Sequence, residues 1–302
     1  MITTPTVLVL GAGANYTYGF PLGAQLTQNI YITLKGSRGP GSDFVLLKDI
    51  GFSQSDIKDF ADDLEKSNLP SIDTFVMRKP QFMDLAKYAI AIELVKYEHQ
   101  AALLERGKWY FYLYNRMNNM PDKLINQKIS FITFNYDRSL EQFLYLSLKH
   151  GNNNITDDQI KKIIDELSII HVHGHIGFLP WQSSRPREYS NIRNTGIIKV
   201  AAENIKLIPE NQEINSEFKQ ANDKLHLAER IYFLGFGFDE INMKGLGISD
   251  LDDGKQIFGT CRGISPQEMR EISKRSNKRI IQERMRNIDV LDFLKDSPLV
   301  HF

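Results

Sequence analysis

Thr6 to Leu10 (TVLVL) is an unbroken β-branched and apolar run that stops at Gly11-Ala12-Gly13. No other stretch restricts the fold as strongly. A run without polar alternation reads as a strand buried on both faces, the kind found in parallel sheets covered by helices. The glycine turn leads through Gly19-Phe20-Pro21 to a helical pattern over Leu22 to Leu34. Strand, glycine turn and helix in this order open a dinucleotide-binding fold. The expected class is therefore α/β, with a Rossmann-like parallel sheet.

Lys35 to Ser42 is a Gly/Pro/Ser loop, and from Asp43 to Met120 no convincing strand follows. Asp56 to Glu65 and Phe82 to Met117 place apolar residues at helical spacing. This region is expected to be a helical insertion (43–120) after the first βα unit, closed by Pro121. The α/β alternation then resumes. Ile129 to Phe134, Ser168 to Val172 and Ile231 to Leu234 read as buried strands, with a further strand over Ile257 to Gly259. Helices are expected over Ser139 to Lys149, Asp157 to Leu167 and Ser216 to Glu229. Asp137 is placed to cap the first of these, with Glu141 favourable in its first turn. Gly177 to Asn215 is expected to be long loops with one short strand near Ile197 to Val200. Ser265 to Asn287 reads as a charged helix, and Ile288 to Leu294 as a returning edge strand. The whole chain (1–302) is taken as one catalytic domain, with residues 265–302 as a C-terminal helix and tail packed on it.

Four strands therefore end in polar or glycine-rich turns, at positions 11, 135, 173 and 235. In an open parallel sheet ligands bind outside the carboxyl ends of the strands, so these turns should line one crevice. Glycines at 11 and 13 let the backbone approach a pyrophosphate, although the third glycine of the dehydrogenase fingerprint is replaced by Tyr16. Asn135 is a neutral group able to hold ribose hydroxyls or a water. Asp137 is an acceptor for an amide. His173, beside Gly174, has the titration range of a general base. His171, His173 and His175 invite a metal reading, because i and i+2 share one face of a strand. No acidic or cysteine partner stands at a familiar zinc spacing and no HExxH occurs, so no metal is expected.

Composition narrows the class. The 302 residues carry 37 basic and 37 acidic side chains, which argues against a dedicated nucleic-acid binder. One cysteine, Cys261, makes neither an internal disulfide nor a four-cysteine zinc module. No apolar stretch is long enough to span a membrane, and no basic segment precedes the first apolar run. A soluble, cytoplasmic protein is expected.

Read together, GAGAN…GFP, TFNYD, VHG and LGFGFD resemble the sirtuin fold, and Thr133 to Glu141 (TFNYDRSLE) is similar to the TxNYDxxLE hallmark of its bacterial, zinc-module-less branch. The resemblance runs from Leu8 to Asp239. It implies NAD as substrate, with the phosphates cradled by Gly11, Ala12 and Gly13. Asn15, Gly19, Phe20, Pro21, Thr133 and Gly174 would stand around the dinucleotide, and Gly235, Gly237, Phe238 and Asp239 on its adenosine side. Asn135 would hold the nicotinamide ribose or position water, Asp137 would engage the carboxamide, and His173 would act as base. The chain departs from protein-deacylating sirtuins. The cysteine module is missing, Leu22-Gly23-Ala24-Gln25 stands where a phenylalanine–arginine pair usually follows the GIP-type segment, and Asn15 replaces a common serine.

That branch is associated with NAD depletion in anti-phage defence. The expected activity is hydrolysis of the nicotinamide–ribose bond to nicotinamide and ADP-ribose. The alternatives are an NAD-dependent deacylase, an ADP-ribosyltransferase, and a non-catalytic NAD or ADP-ribose sensor. An NAD-destroying enzyme is expected to be held at low activity until a regulatory or sensor partner, or homo-oligomerisation, releases it. The helical insertion and the basic stretch Arg270 to Arg286 are the candidate docking surfaces, though interleaved glutamates make the latter read better as a solvated face.

Overall fold

The computed structural model describes residues 1–117, 120–207, 216–297 and 299. Six strands form one all-parallel sheet: β1 (Thr6–Leu10), β2 (Ile129–Thr133), β3 (Ile169–His171), β4 (Arg230–Leu234), β5 (Gln256–Thr260) and β6 (Met285–Arg286). Their spatial order is β3-β2-β1-β4-β5-β6. The order reverses beside β1, which pairs in full register with β2 on one side and β4 on the other.

Each central strand feeds two cores. On β1, Leu8 and Leu10 enter one apolar cluster, while Val7 and Val9 enter the other. On β4, Tyr232 and Leu234 face the first cluster and Ile231 and Phe233 the second. Helices cover both faces, which is why these strands show no polar alternation.

The insertion is helical throughout its described residues. Its helices span Asp43–Ile50, Gln54–Ser67, Ile72–Arg78, Met83–Val95, Gln100–Leu103 and Trp109–Arg116. Ser42, Ser53 and Ser71 start the first three, each accepting a backbone N–H from the third residue on. The periodic stretch from Phe82 to Met117 is thus three helices rather than one. The chain breaks at Lys96–His99 and again around Gly107. Residues 118 and 119 of the insertion lie outside the described residues. Pro121 does not close the insertion but opens a one-turn helix, Pro121–Leu124, where its missing N–H is harmless.

Three further expectations are corrected. Ile197 to Val200 is not a strand but lies within the helix Thr195–Glu203. Asn194 caps that helix by accepting from the Ile197 N–H, and Ile198, Ala201 and Ala202 form its buried stripe. Local capping and helical spacing override the β-branched residues there. The charged helix from Ser265 stops at Arg275, because Asn277 and Lys278 adopt left-handed backbone. Ile288 to Leu294 is not an edge strand: Asp289 caps a helix over Val290–Asp296, and the sheet edge is the short β6 before it. In the polar stretch expected to be loops, residues 208–215 lie outside the described residues, as do 298 and 300–302 of the tail.

Candidate functional site

The turn after β1 is built by backbone against backbone. Gly11 donates to Leu234 O at 3.0 Å and Gly13 to Gly235 O at 2.9 Å. A side chain on Gly235 would reach 2.0 Å from Ala14 N, and its φ is +59°, so only glycine fits. The glycines of the first and fourth strand ends therefore serve mainly to let the two turns touch. Two of the N–H groups expected to hold phosphate, those of Gly11 and Gly13, are spent in that contact, while Gly11 and Ala12 both line the cleft. The turn continues as a short helix, Ala12–Asn15, and a 3-10 turn, Tyr16–Tyr18. The long helix begins only at Gly23, two residues after Pro21.

A cavity of about 400 Å³ opens at the carboxyl ends of β1, β2 and β4. Of the residues singled out in the sequence, Gly11, Ala12, Asn15, Phe20, Pro21, Asn135, Asp137, His173, Gly237 and Asp239 line it. Gly13, Gly19, Thr133, Gly174, Gly235 and Phe238 do not. Thr133 is buried behind the site, where its hydroxyl accepts from the Asn135 N–H at 3.1 Å. Gly174 turns the chain at φ +67° against Asn204 and lines a different cavity. Asp239 caps the helix Glu240–Gly245 while facing the cleft.

The polar centre is a buried relay. Asn15 Nδ2 donates to both oxygens of Asp137, at 2.8 and 2.7 Å, and the Ser139 N–H donates to Asp137 Oδ1 at 3.0 Å. Asp137 thus stands one residue before the N-cap, Arg138, and takes the first helical N–H without occupying the cap position expected of it, and it ties the first strand end to the second. Tyr110, from the insertion, completes the relay by donating to Asn15 Oδ1 at 2.7 Å. Burial holds the Asp137 carboxyl above the usual carboxylate range, against the bonds from Ser139 and Asn15 that favour the anion. Asn135 Nδ2 donates to Gly11 O at 3.1 Å. His173 is 6% exposed and its Nδ1 has no hydrogen-bond partner. Its ring stands among Phe134, Tyr136 and Phe218.

Strand β3 ends at His171, and the turn that follows separates the histidines. His171 and His175 line the second cavity, whereas His173 lines the first. The shared strand face that a metal reading would need is not formed. Among the described residues no group of three or more potential ligands gathers at one point.

The insertion supplies what sequence reasoning missed. Pro70 to Thr74 and Met77 form one wall of the cleft. Tyr136 donates to Asp73 Oδ1 at 2.9 Å, so the residue between Asn135 and Asp137 is latched to that wall. Trp109 Nε1 donates to Ala14 O at 2.7 Å, and the Tyr110 N–H to the Tyr18 hydroxyl at 2.9 Å. The single signal for these contacts was an aromatic cluster, Trp109 to Tyr112, at a helix start. Among the described residues no lysine or arginine lines the cleft.

No protein-family model matches the chain, and no curated protein matches it.

Proposed function

We propose that the cleft binds NAD and that the chain is a sirtuin-like NAD hydrolase. The observation that carries this reading is the convergence of Asn15, Asn135, Asp137 and His173 on one cavity at the point where the strand order reverses. The resemblance of the same segments to the sirtuin fold supplies the substrate. The role as an effector of bacterial anti-phage defence by NAD depletion, under control of a partner or of assembly, rests on that resemblance alone.

The chemistry asks little of the protein. The bond from C1′ of the ribose to the nicotinamide nitrogen breaks, and its electron pair neutralises the leaving pyridinium. Water adds to the oxocarbenium-like carbon. Its proton passes to His173 Nδ1, an acceptor with no competing partner. Asn135 orients the ribose or the water, and the Asp137–Asn15 pair addresses the carboxamide. Water takes the acceptor position when no acyl-lysine occupies the channel.

The test is incubation of the purified chain with NAD, following free nicotinamide, beside Asn135→Ala and His173→Ala. Nicotinamide release by the wild type and a loss of about 100-fold or more in each variant is the expected result. NAD bound without turnover, with the proposed partner class supplied as infected-cell lysate, moves the chain to the sensor reading. ADP-ribose or acyl transfer to a protein moves it to the transferase readings.

A further inference from the structure

Behind the cleft, His171 closes β3 beside Thr133 of β2. Its Nδ1 lies 3.1 Å from Asn135 O, and its Nε2 is hydrogen-bonded to Glu141 Oε1. A carbonyl and a carboxylate are both acceptors, so a ring that serves both donates from each nitrogen, as an imidazolium. From Asn135 the connection continues, through its side-chain amide, to Gly11 O on the cleft floor. His171 does not line the cleft. It faces a separate cavity of about 490 Å³ on the other side of the β3 end.

We propose that the His171–Glu141 pair is the positioning device for Asn135, so that cleavage needs His171 protonated although His171 never meets the substrate. The inference rests on the NAD reading above.

The surroundings favour the charged ring. Burial alone would push His171 down, but the Glu141 carboxylate outweighs it and holds the imidazole above its usual value. Glu141 agrees: burial would raise it, and His171 draws it below the usual carboxylate range. His175, from the next turn, stacks edge-on at 5.2 Å and is pushed down to about 4 by burial and then by the His171 charge, so it stays neutral. Asp137 adds to the pull on His171. Arg138 faces the same cavity with its guanidinium held by Glu98. Farther round the cavity stand Asp165 and the Lys206–Glu217 ion pair. None of these hydrogen-bonds to the His171 ring. Because the folded value is raised, the imidazolium is complete below the ordinary histidine range and is lost as pH climbs through that raised value. The expected profile is a fall in kcat on the alkaline side with KM for NAD unchanged.

Two substitutions separate positioning from bulk stability. His171→Asn places an amide nitrogen where Nδ1 stood and keeps the donor to Asn135 O. His171→Gln keeps the donor to Glu141 and loses the one to Asn135. At matched Tm, the asparagine variant should keep kcat within about fivefold and lose the alkaline fall, while the glutamine variant should drop about 100-fold. Equal kcat in the two variants, or a wild-type kcat indifferent to pH while the ring titrates, overturns the proposal. A second readout needs no turnover: the Asn135 side-chain amide resonance should move with the midpoint of the His171 ring. A stationary Asn135 resonance overturns the link. No nicotinamide release from the wild type, with the resonance still coupled, removes the NAD chemistry and leaves the coupling standing.

Discussion

Asp137 stands where fold and chemistry pull in opposite directions. A carboxyl raised by burial binds its proton more tightly in the folded chain than in the unfolded one. Stability therefore falls as pH rises from the unfolded value near 4 through the raised folded value, above which the penalty is complete. Asp137→Asn removes that penalty and keeps Oδ1 as acceptor for Asn15 and Ser139, at the loss of the Asn15 bond to Oδ2. The variant should melt no earlier than wild type at pH 7, with the difference gone below about pH 4. Its nicotinamide release should fall by about 100-fold or more. Thermal melts of both proteins across that range check the first part, and a variant that unfolds earlier at pH 7 would sink it. At this scale the sequence was readable where one residue type has few uses. Asn135, Asp137 and His173 lie at strand ends marked by a polar turn or glycine, and all three reach the cleft. The partners of Asn15 and His171 were not readable, because Tyr110 and Glu141 are defined by distance in space and carry no local pattern.

Among the elements, the loop after β3 shows how irregular chain is held without strands. Glu98, in the break after the insertion helix Met83–Val95, is fully buried and pairs with Arg138 and Arg187. Arg138 also donates to the carbonyls of Gly177, Phe178, Arg187 and Glu188, which fixes the course of the loop beside the second cavity. Burial pushes the Arg187 guanidinium down to about 10, with Glu98 acting against it. Glu98→Gln would leave two buried cations without a counter-charge. The expected loss is about 3–5 kcal/mol of unfolding free energy, measurable by urea titration. A change below about 1 kcal/mol would mean that the carbonyls alone hold the arginines. The helix–strand alternation was legible from β-branched runs and helical spacing. Thr195–Glu203 and Val290–Asp296 were misread because short apolar stretches satisfy both periods, and the deciding caps are single residues, Asn194 and Asp289. The break after Arg275 depends on left-handed Asn277 and Lys278, which no hydrophobic pattern announces.

For the whole molecule, the strand order confirms a Rossmann-like parallel sheet, and the helical insertion is part of the site rather than an appendage. It reaches the cleft at Asp73 and grips the first turn through Trp109 and Tyr110. Ligand binding should therefore stabilise the fold as one unit. NAD at 100 times its Kd should add about 2.7 kcal/mol. For a domain of this size that shifts Tm by about 5–10 °C. Calorimetric scans with and without NAD test this, and an unchanged Tm at millimolar NAD would show that the folded chain does not bind it.

The position of β1 at the centre of the sheet has a consequence for synthesis. Its two neighbours, β2 and β4, leave the ribosome long after it, the second only at Leu234. At about 5–20 residues per second, β1 waits about 6–25 s for β2 and about 10–45 s for β4. Throughout the longer interval TVLVL keeps at least one unpaired edge. The nascent chain should thus be a client of holding chaperones until β4 arrives, and fragments ending before Arg230 should aggregate rather than fold.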